Sequence, residues 1–143
     1  MYMKRKVLAC VGLLIAGILL GACGSRESAS TVEKSFSDSS IYSAEEIDVA
    51  MDAVIAYFEE DMKGCTLTKV TYDEEINEMQ GEDWAEQFDA DRAMLLGTVF
   101  DVNSEEGNND FEFLKSGKTY DFFEWILTQD ENGNWIIHVE GYT

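Results

Sequence analysis

The fold depends most on residues 43–64, which read SAEEIDVAMDAVIAYFEEDMKG. Ser43 and Glu46 have the spacing of a capping box, in which each side chain accepts a hydrogen bond from the backbone N–H of the other. Gly64 is a typical helix stop. Between them, apolar residues recur at steps of three and four, as on one face of a helix: Ile47, Met51, Val54, Ile55, Phe58 and Met62. The stretch therefore predicts a long amphipathic helix that opens the domain.

The chain after this helix predicts a mainly β structure. Residues 66–72 alternate imperfectly, as a strand with a bulge does. Residues 74–88 predict a short amphipathic helix broken near Gly81. Three β-rich runs follow, at 93–102, 119–128 and 135–142. This order predicts an α+β fold, with a long N-terminal amphipathic helix packed on a curved antiparallel sheet of about four strands.

The most unusual candidate site lies on the last two predicted strands. Asn132-Gly133 is a strong signal for a two-residue hairpin turn. In that register facing residues have numbers that sum to 265, and one side of the sheet combines apolar and ionisable groups: Phe123, Trp125, Leu127, Ile136, His138, Glu140 and Tyr142. Three interpretations fit this face: a self-association surface, the wall of a ligand pocket, or a partly covered face in which a neighbour satisfies the histidine. A register slip of one residue would exchange the two faces.

The first 23 residues have the pattern of an export signal. Lys4, Arg5 and Lys6 precede an uninterrupted apolar and small-residue run from Val7 to Leu20. The sequence Leu-Gly-Ala-Cys that ends at Cys23 is similar to the lipobox of bacterial lipoproteins. We therefore expect a signal peptide at 1–22, a lipidated N-terminus and flexible Ser-rich tether at 23–40, and one domain at 41–143. The lipid bilayer is then the first partner, and the location is the extracytoplasmic face of the cell membrane.

The charge of the chain restricts its partners. Without the three basic residues of the signal, 7 basic residues (10 − 3) stand against 29 acidic ones, for a formal charge of −22. Nucleic acid and anionic lipid headgroups would be repelled, so we expect no nucleic-acid partner. Cations and basic peptides stay compatible with this charge, and so does a purely solubilising role.

An inventory of reactive residues favours a protein that is not an enzyme. One histidine, and one cysteine (Cys65) left after lipidation, provide no zinc cluster. His138 with Glu140 could act as an acid–base pair, but no nucleophile accompanies them. The acidic loop at 101–112 lacks the glycine of a calcium-binding loop, and only weak cation binding is expected there. We expect no cofactor.

Short segments distributed over the domain resemble an uncharacterised family of small lipoproteins from low-GC Gram-positive bacteria. The segments that carry this resemblance are Tyr42-Ser43, Glu45-Glu46-Ile47, Gly64-Cys65-Thr66-Leu67-Thr68, Tyr72-Asp73-Glu74-Glu75, Trp84-Ala85-Glu86-Gln87, Phe100-Asp101-Val102, Trp125-Ile126-Leu127 and Gly141-Tyr142. The resemblance implies a cystatin-like, nuclear-transport-factor-2-like cone and brings no assigned activity.

The sequence thus predicts a lipoprotein with a non-enzymatic binding or protein-interaction domain. Its partner is expected to be a protein, a small molecule or, in a homodimer, a second copy of the chain. The alternative is a small-ligand-binding protein or ketosteroid-isomerase-like enzyme that uses the cavity of the cone.

Overall fold

The computed structural model describes residues 31–104 and 113–141, of which 139–141 are described by their backbone alone. The chain divides into two units, residues 1–31 and 32–143, and all the described elements lie in the second. They are β1 (Glu33–Ser35), α1 (Ala44–Asp61), β2 (Cys65–Tyr72), α2 (Glu74–Gln87), β3 (Ala93–Val102), β4 (Thr119–Gln129) and β5 (Trp135–Gly141). The strands form one sheet in the order β1-β2-β3-β4-β5. β1 runs parallel to β2, and the other neighbours are antiparallel.

The fold is α+β, but the prediction of an N-terminal helix on a four-stranded antiparallel cone was wrong. The described sheet has five strands and is mixed, and β1 precedes the helix. β1 lies within the segment that we assigned to the tether. It is three residues long and polar, so it has no alternating pattern. Lys34 holds it against α1 through Asp48 (2.7 Å) and Asp52 (2.6 Å), and these contacts exist only in the folded chain.

The capping box that opens α1 is confirmed. The Ser43 hydroxyl accepts from the Glu46 N–H at 3.1 Å, and the Glu46 carboxylate accepts from the Ser43 N–H at 2.9 Å. The helix ends at Asp61, with Met62 as its C-cap. Its apolar stripe is buried in the main core, against β2, β3 and β4. Burial of this stripe, rather than helix propensity, supplies most of the stability of such a helix.

The second helix is continuous, so the prediction of a break at Gly81 was wrong. α2 is capped by Asp73, whose carboxylate accepts from the Ile76 N–H at 3.1 Å. Gly81 is buried where the helix meets β3, and an added Cβ would lie 3.3 Å from the carbonyl oxygen of Ala93. The glycine therefore allows close packing of the helix on the strand.

The β4–β5 hairpin has a different register from the predicted one. Leu127 faces Ile137 and Ile126 faces His138, so facing numbers sum to 264 over most of the hairpin. Five residues, 130–134, connect the strands. Asp130 organises this turn by accepting from the backbone N–H groups of Asn132 and Asn134, both at 2.9 Å. The observed register thus differs from the predicted one by one residue. A shift of one residue moves every side chain of β5 to the other face relative to β4.

Helices cover both faces of the sheet, which explains why both faces are apolar. One face packs against α1 and carries Trp125 and Leu127. The opposite face packs against α2, where Leu95 and Ile126 contact a smaller cluster that includes Ala85. The predicted cone, a curved sheet packed on one long helix, was therefore the wrong architecture.

Asn77 attaches α2 to the middle of the sheet. β2 ends at Tyr72, opposite Leu96, so the backbone of Leu95 lies beyond the last pair of that ladder. The Asn77 amide takes the place of the missing strand: its oxygen accepts from the Leu95 N–H at 2.8 Å, and its nitrogen donates to the Leu95 carbonyl at 3.0 Å. Both partners are buried, so this side chain satisfies backbone groups that water does not reach.

Candidate functional site

The structure divides the predicted hairpin site between the two faces of the sheet. Phe123, Trp125 and Leu127 are fully buried in the main core. The ring of Trp125 lies 5.3 Å from that of Phe58 on α1, and its indole N–H donates to the hydroxyl of Thr98 at 2.7 Å. These three residues are therefore scaffold and do not form a free surface.

The other two described members of that set, Ile136 and His138, lie on the α2 side. The imidazole of His138 stacks on Phe88 with ring centroids 3.9 Å apart, and its Nε2 lies 2.9 Å from the hydroxyl of Thr128. The enzyme alternative needs the His138 ring to reach the cavity of the cone. Phe88 stacks on that ring instead. His138 fits the interpretation of a partly covered face with a neighbour that satisfies it.

The remaining predicted site residues lie outside the described part of the chain. They are Cys23, Tyr142, the side chain of Glu140, and residues 105–112 of the acidic loop. Cys65 is half-buried and packs against the main core. Within residues 31–104 and 113–141, no group of three or more His, Cys, Asp or Glu side chains is placed to hold a metal ion.

A cleft of about 390 Å³ lies between α2 and two segments of the chain, and we take it as the candidate site. We call it the acidic cleft. One wall is α2, from which a buried stripe (Asn77, Gly81, Ala85) and two neighbouring carboxylates (Glu78, Glu82) line it. The other walls are Ile41-Tyr42, just before α1, and Asp91-Arg92-Ala93, where β3 begins. Its volume lies within the range of about 300–1,000 Å³ that is usual for small-molecule sites.

Small residues create the acidic cleft. Gly81, Ala85 and Ala93 are the smallest side chains available, and all three are buried at the junction of α2 with β3. Residues four apart lie above one another on a helix, so 77, 81 and 85 form the inner stripe and 78 and 82 the adjacent one. The same spacing therefore gives the cleft a small-residue floor and an acidic edge.

Arg92 and Tyr42 form a fixed wall of the cleft. The guanidinium pairs with Glu46, donates to the side-chain oxygen of Gln129 at 3.0 and 3.2 Å, and lies 5.0 Å from the centre of the Tyr42 ring. The Tyr42 hydroxyl donates to the carbonyl of Ala93 at 2.8 Å. Cation–π and charge-assisted contacts of this kind hold a side chain in one position. The Arg92 guanidinium and the Tyr42 hydroxyl both bind other protein groups, so neither is directed at a ligand.

Tyr42, in the wall of the cleft, and Glu46, the partner of Arg92, have pKa values away from neutrality. Burial raises the pKa of Tyr42 to about 12, so its phenol keeps its proton at neutral pH. The first influence that lowers the pKa of Glu46 is the backbone N–H of Ser43, and Arg92 lowers it further. Neither side chain has the near-neutral pKa that efficient acid–base catalysis requires.

Glu74, at the start of α2, fixes the segment that leads into the cleft wall. Its carboxylate accepts hydrogen bonds from the hydroxyls of Ser39 (2.5 Å), Tyr72 (2.7 Å) and Ser40 (2.8 Å), and from the backbone N–H of Ser40 (2.8 Å). Ser39 and Ser40 immediately precede Ile41 and Tyr42. The Glu74 carboxylate thus positions the chain at one wall of the cleft.

We expect Glu74 to make the stability of the domain sensitive to acid. Hydrogen bonds, first from Ser39 and then from Tyr72 and Ser40, lower its pKa from 4.5 to about 2. A lowered folded-state pKa contributes stability that is present above the unfolded-state pKa and is lost as pH falls through the folded-state value. The difference in unfolding free energy between the wild type and Glu74→Gln should therefore be constant above pH ~5 and shrink between pH ~4.5 and ~2.

Urea denaturation at a series of pH values measures this difference. Glu75→Gln is the matched control, because Glu75 is exposed on the same first turn and makes none of these bonds. A Glu74→Gln difference that does not change between pH 6 and pH 2 would contradict the arrangement.

None of the comparisons with protein-family models, curated proteins or solved structures gives a match to this chain. The resemblance to small Gram-positive lipoproteins therefore stays a prediction.

Part of the acidic cleft is visible in the sequence, but helical periodicity alone does not identify it as a cleft. The small residues at 81 and 85 and the acids at 78 and 82 occur at helical spacing, but a glycine in such a stretch also predicts a break. The third carboxylate, Asp91, and the Ile41-Tyr42 wall come from other segments. The α2 residues, Asp91 and the Ile41-Tyr42 wall come together only because α2 packs on the start of β3.

Proposed function

We propose that this chain is a lipoprotein, anchored through acylated Cys23 at the extracytoplasmic face of the membrane, whose domain binds a ligand in the acidic cleft without catalysing a reaction. The observation that carries the binding part is the cleft itself. Its fixed wall of Tyr42 and Arg92 and its three carboxylates combine a formed opening with polar groups that the fold does not use. Ligand sites are typically such concave, largely preformed places.

The anchoring part of the proposal is supported by the sequence. A basic start, an apolar run of 14 residues and small residues before Cys23 agree with a lipoprotein signal. In the part of the chain that the structure describes, no helix is long and apolar enough to cross a bilayer. Two acyl chains make a stable anchor, whereas a single chain binds only marginally.

Cys23→Ala is expected to abolish lipid labelling and to leave unprocessed precursor, because the thiol is the acceptor of the lipid and the first residue of the mature chain. Metabolic labelling with a radioactive fatty acid in a bacterial host, followed by gel mobility, measures both effects. Cys10→Ala is the matched control, since it removes a thiol from the same signal segment and should be labelled and processed normally. A labelled, processed and membrane-bound Cys23→Ala product would refute the anchor.

A small-molecule fragment screen by NMR tests the binding part separately. Resonances of Gly81, Ala85 and Ala93 should shift on saturation by at least one fragment, while those of the main core stay in place. If fragments shift residues elsewhere and never these three, the acidic cleft is not the binding site.

A further inference from the structure

The acidic cleft carries negative charge that the fold leaves unpaired. Glu78, Glu82 and Asp91 line it and are exposed. Among the described residues, no hydrogen bond or ion pair involves their carboxylates, in contrast to the carboxylates of Glu46 and Glu74. Three like charges around one opening repel one another, so a positively charged occupant would be favoured.

Arg92 does not neutralise this charge. Its guanidinium lines the same cleft but is paired with Glu46, and that pair is neutral as a unit. Its remaining contacts, to Gln129 and to the Tyr42 ring, direct it into the wall. The lining residues therefore leave three carboxylates to attract a ligand.

The three carboxylates do not converge on one point. No group of three or more acidic side chains among the described residues is placed to coordinate a single metal ion. Separated negative charges are matched by a ligand whose positive charges are also separated. A compact divalent cation carries its charge at one point. A chain of methylenes between ammonium groups carries its positive charges at separated points.

The size and floor of the cleft fit such a chain. Its volume of about 390 Å³ equals that of roughly a dozen water molecules at about 30 Å³ each, which is enough for a small aliphatic molecule. The floor of Ala85 and Ala93 and the exposed side chain of Ile41 offer apolar surface to methylene groups. The cleft by itself is too small to be a whole protein–protein interface, which buries about 800 Å² on each side.

We propose that the acidic cleft binds an aliphatic polyamine, with its ammonium groups at Glu78, Glu82 and Asp91 and its methylenes on the Ile41, Ala85 and Ala93 surface. This inference deepens the proposed function and rests on it. It names the chemical class of the ligand: two or more positive charges spaced along an unbranched carbon chain. The charges give selectivity, and the apolar floor distinguishes such a chain from a hydrated inorganic cation.

Isothermal titration calorimetry of the full chain in a neutral detergent tests the ligand class. Spermidine is expected to bind saturably at one site, 1,4-diaminobutane more weakly, and the uncharged analogue 1,4-butanediol not at all. Binding should weaken as salt rises, since exposed charges are screened within about 10 Å at 0.1 M. Equal affinity for the diol would overturn the proposal.

Two triple variants locate the site. Glu78→Gln with Glu82→Gln and Asp91→Asn should weaken spermidine binding by roughly tenfold or more, on the scale of exposed ion pairs. The matched control neutralises three exposed acids at the far end of α1, Glu59→Gln with Glu60→Gln and Asp61→Asn, and should change the affinity less than twofold. Equal losses in both variants would mean that the acidic chain attracts polyamines without a site, which overturns the proposal.

Two further outcomes separate this inference from the proposed function. If spermidine does not bind while a fragment shifts the resonances of Gly81 and Ala85, the polyamine is refuted and the binding domain stands. If trilysine binds at this cleft and spermidine does not, the ligand is a basic peptide and the polyamine is again refuted. The Cys23 labelling result is independent of both.

Discussion

Trp125→Ala is expected to destabilise the domain by about 3–5 kcal/mol, the range found when a buried large aromatic side chain is truncated. The indole is fully buried between β4 and α1, in ring contact with Tyr57 and Phe58, each with centroids 5.3 Å away. Its removal leaves a cavity and takes the donor from the Thr98 hydroxyl. Urea denaturation followed by circular dichroism measures the loss. Trp125→Phe, which keeps most of the ring, provides a milder variant if the alanine protein does not fold.

Phe122→Ala is the matched control for this experiment. Phe122 precedes Phe123 on the same strand and is 78 % exposed, so its truncation should change the unfolding free energy by less than about 0.5 kcal/mol. A Trp125→Ala protein as stable as the wild type would support the self-association surface or pocket wall that the sequence suggested at this position. It would also contradict the observed register of β4 and β5.

Asn77→Ala is expected to cost about 2–4 kcal/mol, because it removes two hydrogen bonds to buried backbone groups and an unmade buried bond costs about 1–3 kcal/mol. The Leu95 N–H and carbonyl would lose their partner at the place where β2 has ended. Hydrogen exchange gives a local readout. The Leu95 amide should lose protection in the variant, beyond the loss caused by the lower global stability.

Met79→Ala is the control on the same helix. Met79 is 70 % exposed, and methionine and alanine are both good helix formers, so the variant should stay within about 0.5 kcal/mol of the wild type. If Asn77→Ala is as mild as Met79→Ala and the Leu95 amide stays protected, the side-chain amide does not replace a strand there.

The β4–β5 hairpin shows how a small local error changes a functional interpretation. Both strands were predicted within one residue of their observed ends. The turn was not, because Asn132-Gly133 suggests two connecting residues and Asp130 organises five through its carboxylate and carbonyl. That difference moved Trp125 and Leu127 from the face they were expected to share with His138 into the core beneath α1. The predicted site was thereby divided.

The acidic cleft illustrates the opposite case. Each of its carboxylates is visible in the sequence, but nothing local indicates that Asp91 shares an opening with Glu78 and Glu82. Its fixed wall depends on a pair between Arg92 and Glu46, which are 46 residues apart. Such long-range pairs are absent from helical and strand periodicity.

By itself the sequence determined the features that depend on near neighbours. It placed the capping box and apolar stripe of α1, the bulged β2 and the spans of β3, β4 and β5, because caps and periodicities are set within a few residues. The tertiary structure alone decided the addition of β1, the position of α2 on the second face, the hairpin register and the acidic cleft. Each of these depends on which distant groups become buried together, and a three-residue polar strand or a one-residue shift leaves little trace in the local pattern.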